Sequence, residues 1–293
     1  MTAPIQIAPI LLISPDGMLG RAVQELLARR AIAFESLSYP KLDITRADSV
    51  ASAVSERFRI VINCAAFTDV DAAETREAEA NAVNAEGVAL LAERCRATSA
   101  VLVHYSTDYV FRGDATSPYS VDEPRAPQNA YGRSKAKGEE LLTAAGCEYL
   151  LLRTSWLYAP WGKNFVDTMT RLGREQSALR VVDDQRGRPS SAQYVAEQTL
   201  ALLERTARGT FHITDGGECS WFEFAQAIVR DTAGCARVDP CKSSEYVRPA
   251  RRPSYSVMDL SKTEALLGPS RPWQHNLAMV LQARELAVAS SSS

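Results

Sequence analysis

A doubly wound α/β fold, built on a parallel sheet and followed by a smaller C-terminal α/β region, is predicted by three features of the sequence. Short apolar runs, of the kind a strand buried on both faces shows, recur through the first half: Ile10-Leu11-Leu12-Ile13, Ile60-Val61-Ile62, Val101-Leu102-Val103 and Leu150-Leu151-Leu152. Helical stretches alternate with them, as βαβ units require. The first run ends in Ser14-Pro15-Asp16-Gly17-Met18-Leu19-Gly20, and a helix follows with Leu19, Val23, Leu26 and Leu27 on one face. Strand, glycine turn and helix in that order form the setting of a Rossmann-like dinucleotide loop, in which glycine lets backbone approach a pyrophosphate at a helix N-terminus. An ordinary tight turn entering a helix has the same appearance. Ser14 stands where the first glycine of the usual spacing falls, and Gly17 and Gly20 keep the other two places.

The remaining elements follow in chain order. A second strand spans residues 33–37; its Glu35 lies inside the run, and Ser36, Ser38 and Lys41 follow in place of a terminal acid. An acid at that end would grip an adenosine 2'-hydroxyl, so its absence leaves room for a 2'-phosphate and favours NADPH, with NADH possible. The third strand, at 60–66, ends in small residues where either a cofactor or tight packing fits. One long helix is expected over about 72–98, a strand over 101–105, a loop rich in Pro, Asp and Ser over 112–129, a helix over 131–145 and a strand over 149–153. Beyond Trp156 the pattern changes to helices at 164–174, 193–206, 221–233 and 273–287, strands at 179–182 and 210–213, and Arg- and Pro-rich loops at 185–190 and 248–254. Residues 1–156 are therefore read mainly as the dinucleotide-binding domain and residues 157–289 mainly as a substrate-binding region, with chain crossing between the two. Residues 290–293, all serine, read as a tail.

Composition narrows the function. With 293 residues, 46% of them hydrophobic, the chain builds a substantial core. Lys and Arg (33) nearly balance Asp and Glu (35), so no basic surface suits nucleic acid or anionic lipid, and a small-molecule partner is expected. The six cysteines show neither a C-x-x-C pair nor metal-ligand spacing and read as reduced thiols of a cytoplasmic protein. No run approaches the length of a membrane-spanning helix.

Chemistry concentrates between Ser106 and Lys135. Ser106-Thr107-Asp108 follows a strand, at the end where open parallel sheets bind ligands. On the next helix Tyr131 and Lys135 are i and i+4, so both side chains leave one face. An ammonium beside the phenol would favour phenolate and lower its pKa, making Tyr131 an acid or base. A half-exposed Tyr/Lys pair on a helix is the bland alternative.

These stretches, with Ser106-Thr107-Asp108-Tyr109-Val110-Phe111, Tyr131-Gly132-Arg133-Ser134-Lys135, Arg153-Thr154-Ser155-Trp156-Leu157-Tyr158, Asn164-Phe165-Val166, Val182-Asp183-Asp184-Gln185-Arg186-Gly187-Arg188-Pro189 and Ala250-Arg251-Arg252-Pro253, resemble the dTDP-4-dehydrorhamnose reductase branch of the extended short-chain dehydrogenase/reductase family over nearly the whole chain. The resemblance implies NAD(P)H-dependent reduction of the C4 ketone of a dTDP-4-keto-6-deoxy-sugar, in deoxysugar and cell-surface polysaccharide biosynthesis. It implies Thr107, Tyr131 and Lys135 as catalytic hydroxyl, acid and lysine. It places Ser14, Gly17, Met18, Leu19, Asp43, Ile44, Ala65, Ala66, Tyr131 and Lys135 at the cofactor, and Phe67, Thr68, Asp69, Val70, Asp108, Tyr109 and Trp156 at the nucleotide-sugar. Arg186 and Arg188 would pair with its diphosphate or form a solvated basic loop.

Two departures qualify the likeness. Ser14 puts cofactor affinity and preference in question, and Ala22 and Gln193 stand where some members carry the glutamates of a magnesium-bridged dimer. No metal site is expected, and a monomer or a metal-independent dimer is. Competing functions are a nucleotide-sugar 4-epimerase, which reuses the same hydride apparatus, and a non-catalytic dinucleotide-binding regulator similar to the regulatory subunit of methionine adenosyltransferase. A 4,6-dehydratase is disfavoured, because Tyr109 occupies the place of the glutamate that follows the aspartate there.

Overall fold

The structure, a computed structural model, describes residues 9–232 and 234–291. Six parallel strands form the central sheet: β1 (Ile10–Ile13), β2 (Phe34–Leu37), β3 (Ile60–Asn63), β4 (Val101–Thr107), β5 (Tyr149–Thr154) and β6 (Gly209–His212). Their spatial order is β6-β5-β4-β3-β1-β2, so the winding reverses between β1 and β3. This is the doubly wound α/β sheet expected from the sequence.

The unbroken apolar runs are explained by cover on both faces. Ile10 and Leu12 pack with helices Met18–Arg29 and Ala192–Glu204, whereas their neighbours Leu11 and Ile13 pack on the opposite face with Val50, Val88 and Leu91. Each such side chain is essentially inaccessible and contributes about 1.5–3 kcal/mol of hydrophobic stabilisation. The second strand, at the sheet edge, is only half-buried, which explains its Phe-Glu-Ser-Leu sequence. A third core cluster lies outside the sheet, where helices Phe165–Glu175, Trp221–Asp231 and Trp273–Ser291 surround Leu179 and Val181 of the strand Ala178–Val182.

The chain crosses between these regions, because the segment that supplies helix Ala192–Glu204 and β6 returns to the main sheet after residues 157–191 have left it. Further local differences from expectation have physical causes. The single helix expected over about 72–98 is broken into Val70–Ala73 and a continuous run from Glu77 to Thr98, with a wide π-type turn at Ala82–Glu86. That turn aims Asn84 inward. Its amide accepts from Phe67 N at 2.9 Å and donates to Phe67 O at 2.9 Å and Ser134 Oγ at 3.0 Å, binding the loop after β3 to the helix of Tyr131. π-turns inside helices commonly mark such functional positions.

Residues 185–190, expected as loop, include two-residue strands: Arg186–Gly187 pairs with Cys219–Ser220, and Ser190–Ser191 pairs with Leu157–Tyr158. The helix expected over 221–233 ends at Asp231, and residue 233 lies outside the described residues. Of the tail expected at 290–293, the first two residues continue helix Trp273–Ser291 and the last two lie outside the described residues.

Candidate active site

A cleft of about 420 Å³ opens at the C-terminal ends of the strands, at the reversal between β1 and β3. Open α/β sheets bind ligands at this point. One wall is the turn after β1. Gly20 is dictated by close approach, since a Cβ there would lie 2.0 Å from the Ser14 carbonyl oxygen. Gly17 is the N-cap of the helix Met18–Arg29 and receives no side-chain cap; no acid sits in that helix's first turn, and nothing lies within 3.8 Å of where a Gly17 Cβ would be. An N-terminus without a side-chain cap, on a twelve-residue helix that begins at the cleft, fits the pyrophosphate of a dinucleotide. Glu35, the acid of β2, is occupied by Arg57 at 2.6 Å.

Ser14 occupies its position at a cost. Its φ is +59°, the left-handed region that glycine adopts freely, while its N–H donates to Leu37 O at 2.8 Å. Left-handed backbone costs a non-glycine residue about 1–2 kcal/mol, against about 0.5–1 kcal/mol of extra unfolded-state entropy for glycine. Ser14→Gly is therefore expected to raise stability by roughly 0.5 kcal/mol. A lowered denaturation midpoint would show that the serine is favoured where it stands.

The opposite wall carries the catalytic candidates. The fourth strand runs two residues further than expected, so Thr107 is its last residue, with Asp108 opening a short 3₁₀ turn. The Thr107 hydroxyl donates to Asp108 Oδ1 at 3.0 Å, accepts from Tyr109 N at 3.2 Å and faces the Tyr131 phenol. Tyr131 stands one position inside helix Ala130–Ala144. Asn129 caps that helix by accepting from Gly132 N at 2.7 Å and donates to Arg251 O at 2.9 Å. A neighbouring ring, that of Tyr109, meets Tyr131 edge-on at 5.7 Å between centroids.

The i, i+4 geometry holds, but its expected electrostatic consequence does not. Lys135 is buried, its Nζ donating to Tyr105 O at 2.6 Å and lying 3.3 Å from His104 Nε2. Burial pushes the Tyr131 phenol well above its ordinary pKa, the Thr107 hydroxyl opposing only in part, and Lys135 contributes nothing resolvable. The phenol is therefore held protonated, as a donor. Burial likewise lowers Lys135 to about 8, with Glu139 opposing, and raises Asp108 to about 6 against hydrogen bonds from Ser256 and Thr107.

A second cleft of about 760 Å³ adjoins the first, with Tyr109 lining both. Between them Trp156, at φ +46°, stacks on Trp221 at 3.6 Å. Gly187 admits the Trp156 ring, since a Cβ there would lie 2.6 Å from it. Arg180, Arg248 and Arg252 line this second cleft together with Phe165, Trp221 and Tyr246. Arg252 donates to the Tyr109 hydroxyl at 2.9 Å and pairs with Asp71 at 2.9 Å, and Arg248 lies 3.6 Å from the same carboxylate.

Most residues proposed from the sequence meet here: Ser14, Gly17, Met18, Leu19, Ala65, Ala66, Thr68, Val70, Thr107, Asp108, Tyr109, Tyr131, Lys135 and Trp156 all line the first cleft. Others do not. Asp43 closes its own turn by accepting from Thr45, and Ile44 is buried against Gly87. Asp69 caps helix Val70–Ala73, and Phe67 packs beside Tyr131 under the Arg76 guanidinium. Arg186 lies between Glu218 (3.2 Å) and Glu223 (3.3 Å), and Arg188 donates to Gly217 O, so neither lines the clefts. Glu218 and Glu223 already hold two of the Arg186 nitrogens, and Gly217 O holds one of Arg188. Asn63, Asn84, His104, Trp221, Arg248 and Arg252 were not singled out. Only the Arg/Pro-rich character of 248–254, and the motif Ala250-Arg251-Arg252-Pro253 within it, signalled any of them, since a buried Asn or His is indistinguishable by sequence from a core polar residue.

A dinucleotide turn, a hydroxyl, a partly buried phenol and a buried lysine on one cleft define an oxidoreductase of the short-chain dehydrogenase/reductase class. A family model described as "RmlD substrate binding domain" matches residues 8–286. The chain belongs to that family, the dTDP-4-dehydrorhamnose reductase branch of the extended short-chain dehydrogenases/reductases. It is 43% identical to a dTDP-4-dehydrorhamnose reductase of Streptomyces griseus, covering 88% of each chain. It is 42% identical to a probable dTDP-4,6-dihydroxy-2-methyloxan-3-one 4-ketoreductase of Streptomyces antibioticus, over 89% of this chain and 90% of that one. The crystal structure of a Bacillus anthracis dTDP-4-dehydrorhamnose reductase in complex with NADP superposes with a TM-score of 0.90 at 35% identity, over 94% of this chain and 98% of that one.

Proposed function

We propose that this protein reduces the C4 ketone of a dTDP-4-keto-6-deoxy-sugar with NADPH, converting dTDP-4-dehydrorhamnose to dTDP-L-rhamnose in deoxysugar biosynthesis. The observation that carries the proposal is the convergence of Thr107, Tyr131 and Lys135 on the cleft that also holds the uncapped helix N-terminus. A bound nicotinamide supplies hydride to the ketone carbon. The chain's residues manage the oxygen: as negative charge develops there, the Tyr131 phenol transfers its proton to it and the Thr107 hydroxyl donates a hydrogen bond, each such donor being worth about 3–4 kcal/mol of barrier. A phenol held protonated by burial suits the reducing direction. Lys135, which lines the same cleft, would hold the nicotinamide ribose.

The two clefts divide the substrate. Residues 1–156 supply most of the cofactor cleft and residues 157–289 most of the second, whose aromatic rings and arginines suit the base and diphosphate of a nucleoside diphosphate. Arg248 and Arg252, rather than Arg186 and Arg188, are the diphosphate partners, with Asp71 holding them in the free protein. Loss of charge-assisted bonds of about 1.5–3 kcal/mol predicts that Arg252→Ala raises KM for the nucleotide-sugar by about 10–100-fold. Unchanged KM in steady-state assays would remove Arg252 from the substrate.

The reaction is tested by incubating the protein with NADPH, and separately NADH, and dTDP-4-keto-6-deoxyglucose or its 3,5-epimerised form, with product stereochemistry read by NMR. Stoichiometric cofactor oxidation with a rhamnose-type product supports the proposal, and cofactor regenerated in single turnover indicates an epimerase. The Streptomyces antibioticus relative, named for a different 4-keto sugar, makes other 4-keto sugars the next substrates to try. No helix among the described residues is long and apolar enough to cross a membrane, in keeping with a cytoplasmic biosynthetic role.

A further inference from the structure

Beneath the cleft floor lies a buried polar chain that the mechanism above does not use. It runs from the backbone N–H of Ala65 to Asn63, His104 and Lys135. Ala65 N donates to Asn63 Oδ1 at 3.0 Å, which fixes the amide so that its NH₂ faces His104 Nδ1 at 3.2 Å. On the far side of the ring, His104 Nε2 lies 3.3 Å from Lys135 Nζ. The three side chains are between 1% and 2% exposed, so water does not reconcile their donors and acceptors.

The hydrogen count permits only linked arrangements. Burial, and then the adjacent lysine, keep His104 neutral, and a neutral imidazole has one N–H and one acceptor nitrogen. With the Asn63 amide as placed, Nδ1 must accept, so Nε2 carries the hydrogen and points it at Lys135. An amine accepts that hydrogen; an ammonium, which has donors only, does not. For an ammonium to stay beside Nε2, the ring must move its hydrogen to Nδ1, and Asn63 must then turn its oxygen toward the ring and away from Ala65 N. Leaving a buried polar group without a partner costs about 1–3 kcal/mol, enough to enforce the linkage.

We propose that His104 is a positioning residue that couples the charge state of Lys135 to the orientation of the Asn63 amide, and so to whether the Ala65 N–H keeps its acceptor. The inference deepens the reading of Lys135 as a working lysine of this site and rests on that reading for its role in reduction. With Lys135 an amine, the Ala65 N–H is tied to Asn63; with Lys135 an ammonium, it loses that acceptor, at a residue that lines the cleft. Other titratable groups facing the array do not substitute for this switch. Glu139, one turn along the helix, is paired with Arg153 at 2.7 Å and Arg125 at 3.3 Å. Tyr131, one turn back, Tyr105, beside His104 on β4, and Cys64, directly after β3, are all held protonated by burial.

The test needs no substrate. ¹⁵N-resolved imidazole spectra of the free protein, recorded from about pH 6.5 to about pH 10, span the ordinary histidine and lysine ranges. They report the tautomer of each of the three histidines, and His104→Gln, or His212→Gln and His275→Gln by elimination, assigns the His104 signals. The expected result is an Nε2–H ring at the alkaline end that converts to Nδ1–H as Lys135 takes up its proton near pH 8. Lys135→Met is expected to lock a single tautomer throughout. A His104 tautomer that stays constant in the wild type, or one that changes identically in Lys135→Met, overturns the proposal. A merely structural histidine gives the constant result. Because the spectra are taken without substrate, failure to reduce a keto sugar leaves this outcome untouched, and a constant tautomer leaves the reductase assignment untouched.

Discussion

Tyr131→Phe lowers kcat for keto-sugar reduction by about 10²–10⁴-fold, the range expected when a positioned proton donor is removed. The substitution deletes one oxygen and little else. The ring keeps its partly buried setting, packed edge-on against Tyr109, and the helix keeps its cap from Asn129, because neither contact uses the hydroxyl. The dinucleotide wall, formed by the turn after β1, is untouched, so cofactor affinity measured by fluorescence titration should stay within about threefold, or about 0.7 kcal/mol. What remains for the developing oxyanion is the Thr107 hydroxyl, which stabilises charge without delivering a proton as readily as the phenol. The pH dependence should separate the two titrating groups. Burial raises the phenol, so its ionisation does not limit activity on the alkaline side; the loss of rate on raising pH belongs to Lys135, which surrenders its ammonium near pH 8. A Tyr131→Phe enzyme within a few-fold of wild type would transfer the proton donor elsewhere, with Asp108, raised to about 6, the nearest candidate.

The fold was legible because its signals are local. Ile10–Ile13 is strand from end to end as the apolar run suggested, and Leu19, Val23, Leu26 and Leu27 are all buried. The meeting of Thr107, Tyr131 and Lys135 on one cleft was legible for the same reason, since a strand end and one helical turn place them without any long-range knowledge. Contacts between distant segments decided the rest. Asp71 and Arg252 meet across 181 positions of sequence, and Asn84 reaches both Phe67 and Ser134, pairings that no periodicity announces. The expected fall in the Tyr131 pKa failed on the same ground: helical spacing sets where Lys135 starts, but Tyr105 O and His104 decide where its nitrogen rests, and burial outweighs the rest. That Arg186 lies outside both clefts was not visible in the sequence, because its partners, Glu218 and Glu223, lie more than thirty residues away.

Gly132→Ala tests whether the position of that helix, as well as its chemistry, sets the rate. Gly132 follows Tyr131 directly, and a Cβ added there would lie 2.3 Å from the Tyr109 carbonyl oxygen, 3.0 Å from Pro127 Cβ and 3.1 Å from Asn129 Oδ1. The nearest of these is backbone and the last is the cap of the same helix, so no flexible side chain can swing aside. Relief requires the helix to move away from the Asp108–Val110 turn, the motion that separates Tyr131 and Lys135 from Thr107. Overpacking of this kind typically costs about 1–3 kcal/mol of stability, although alanine's better helix propensity returns up to about 1 kcal/mol. Displacement of a catalytic group by an ångström costs about 10²-fold in rate. The expected outcome is a folded protein with a modestly lowered denaturation midpoint and a kcat reduced by about that factor. Full activity in a folded Gly132→Ala protein would mean that the helix and the turn move together, and that their mutual distance, rather than the glycine itself, is what the fold protects.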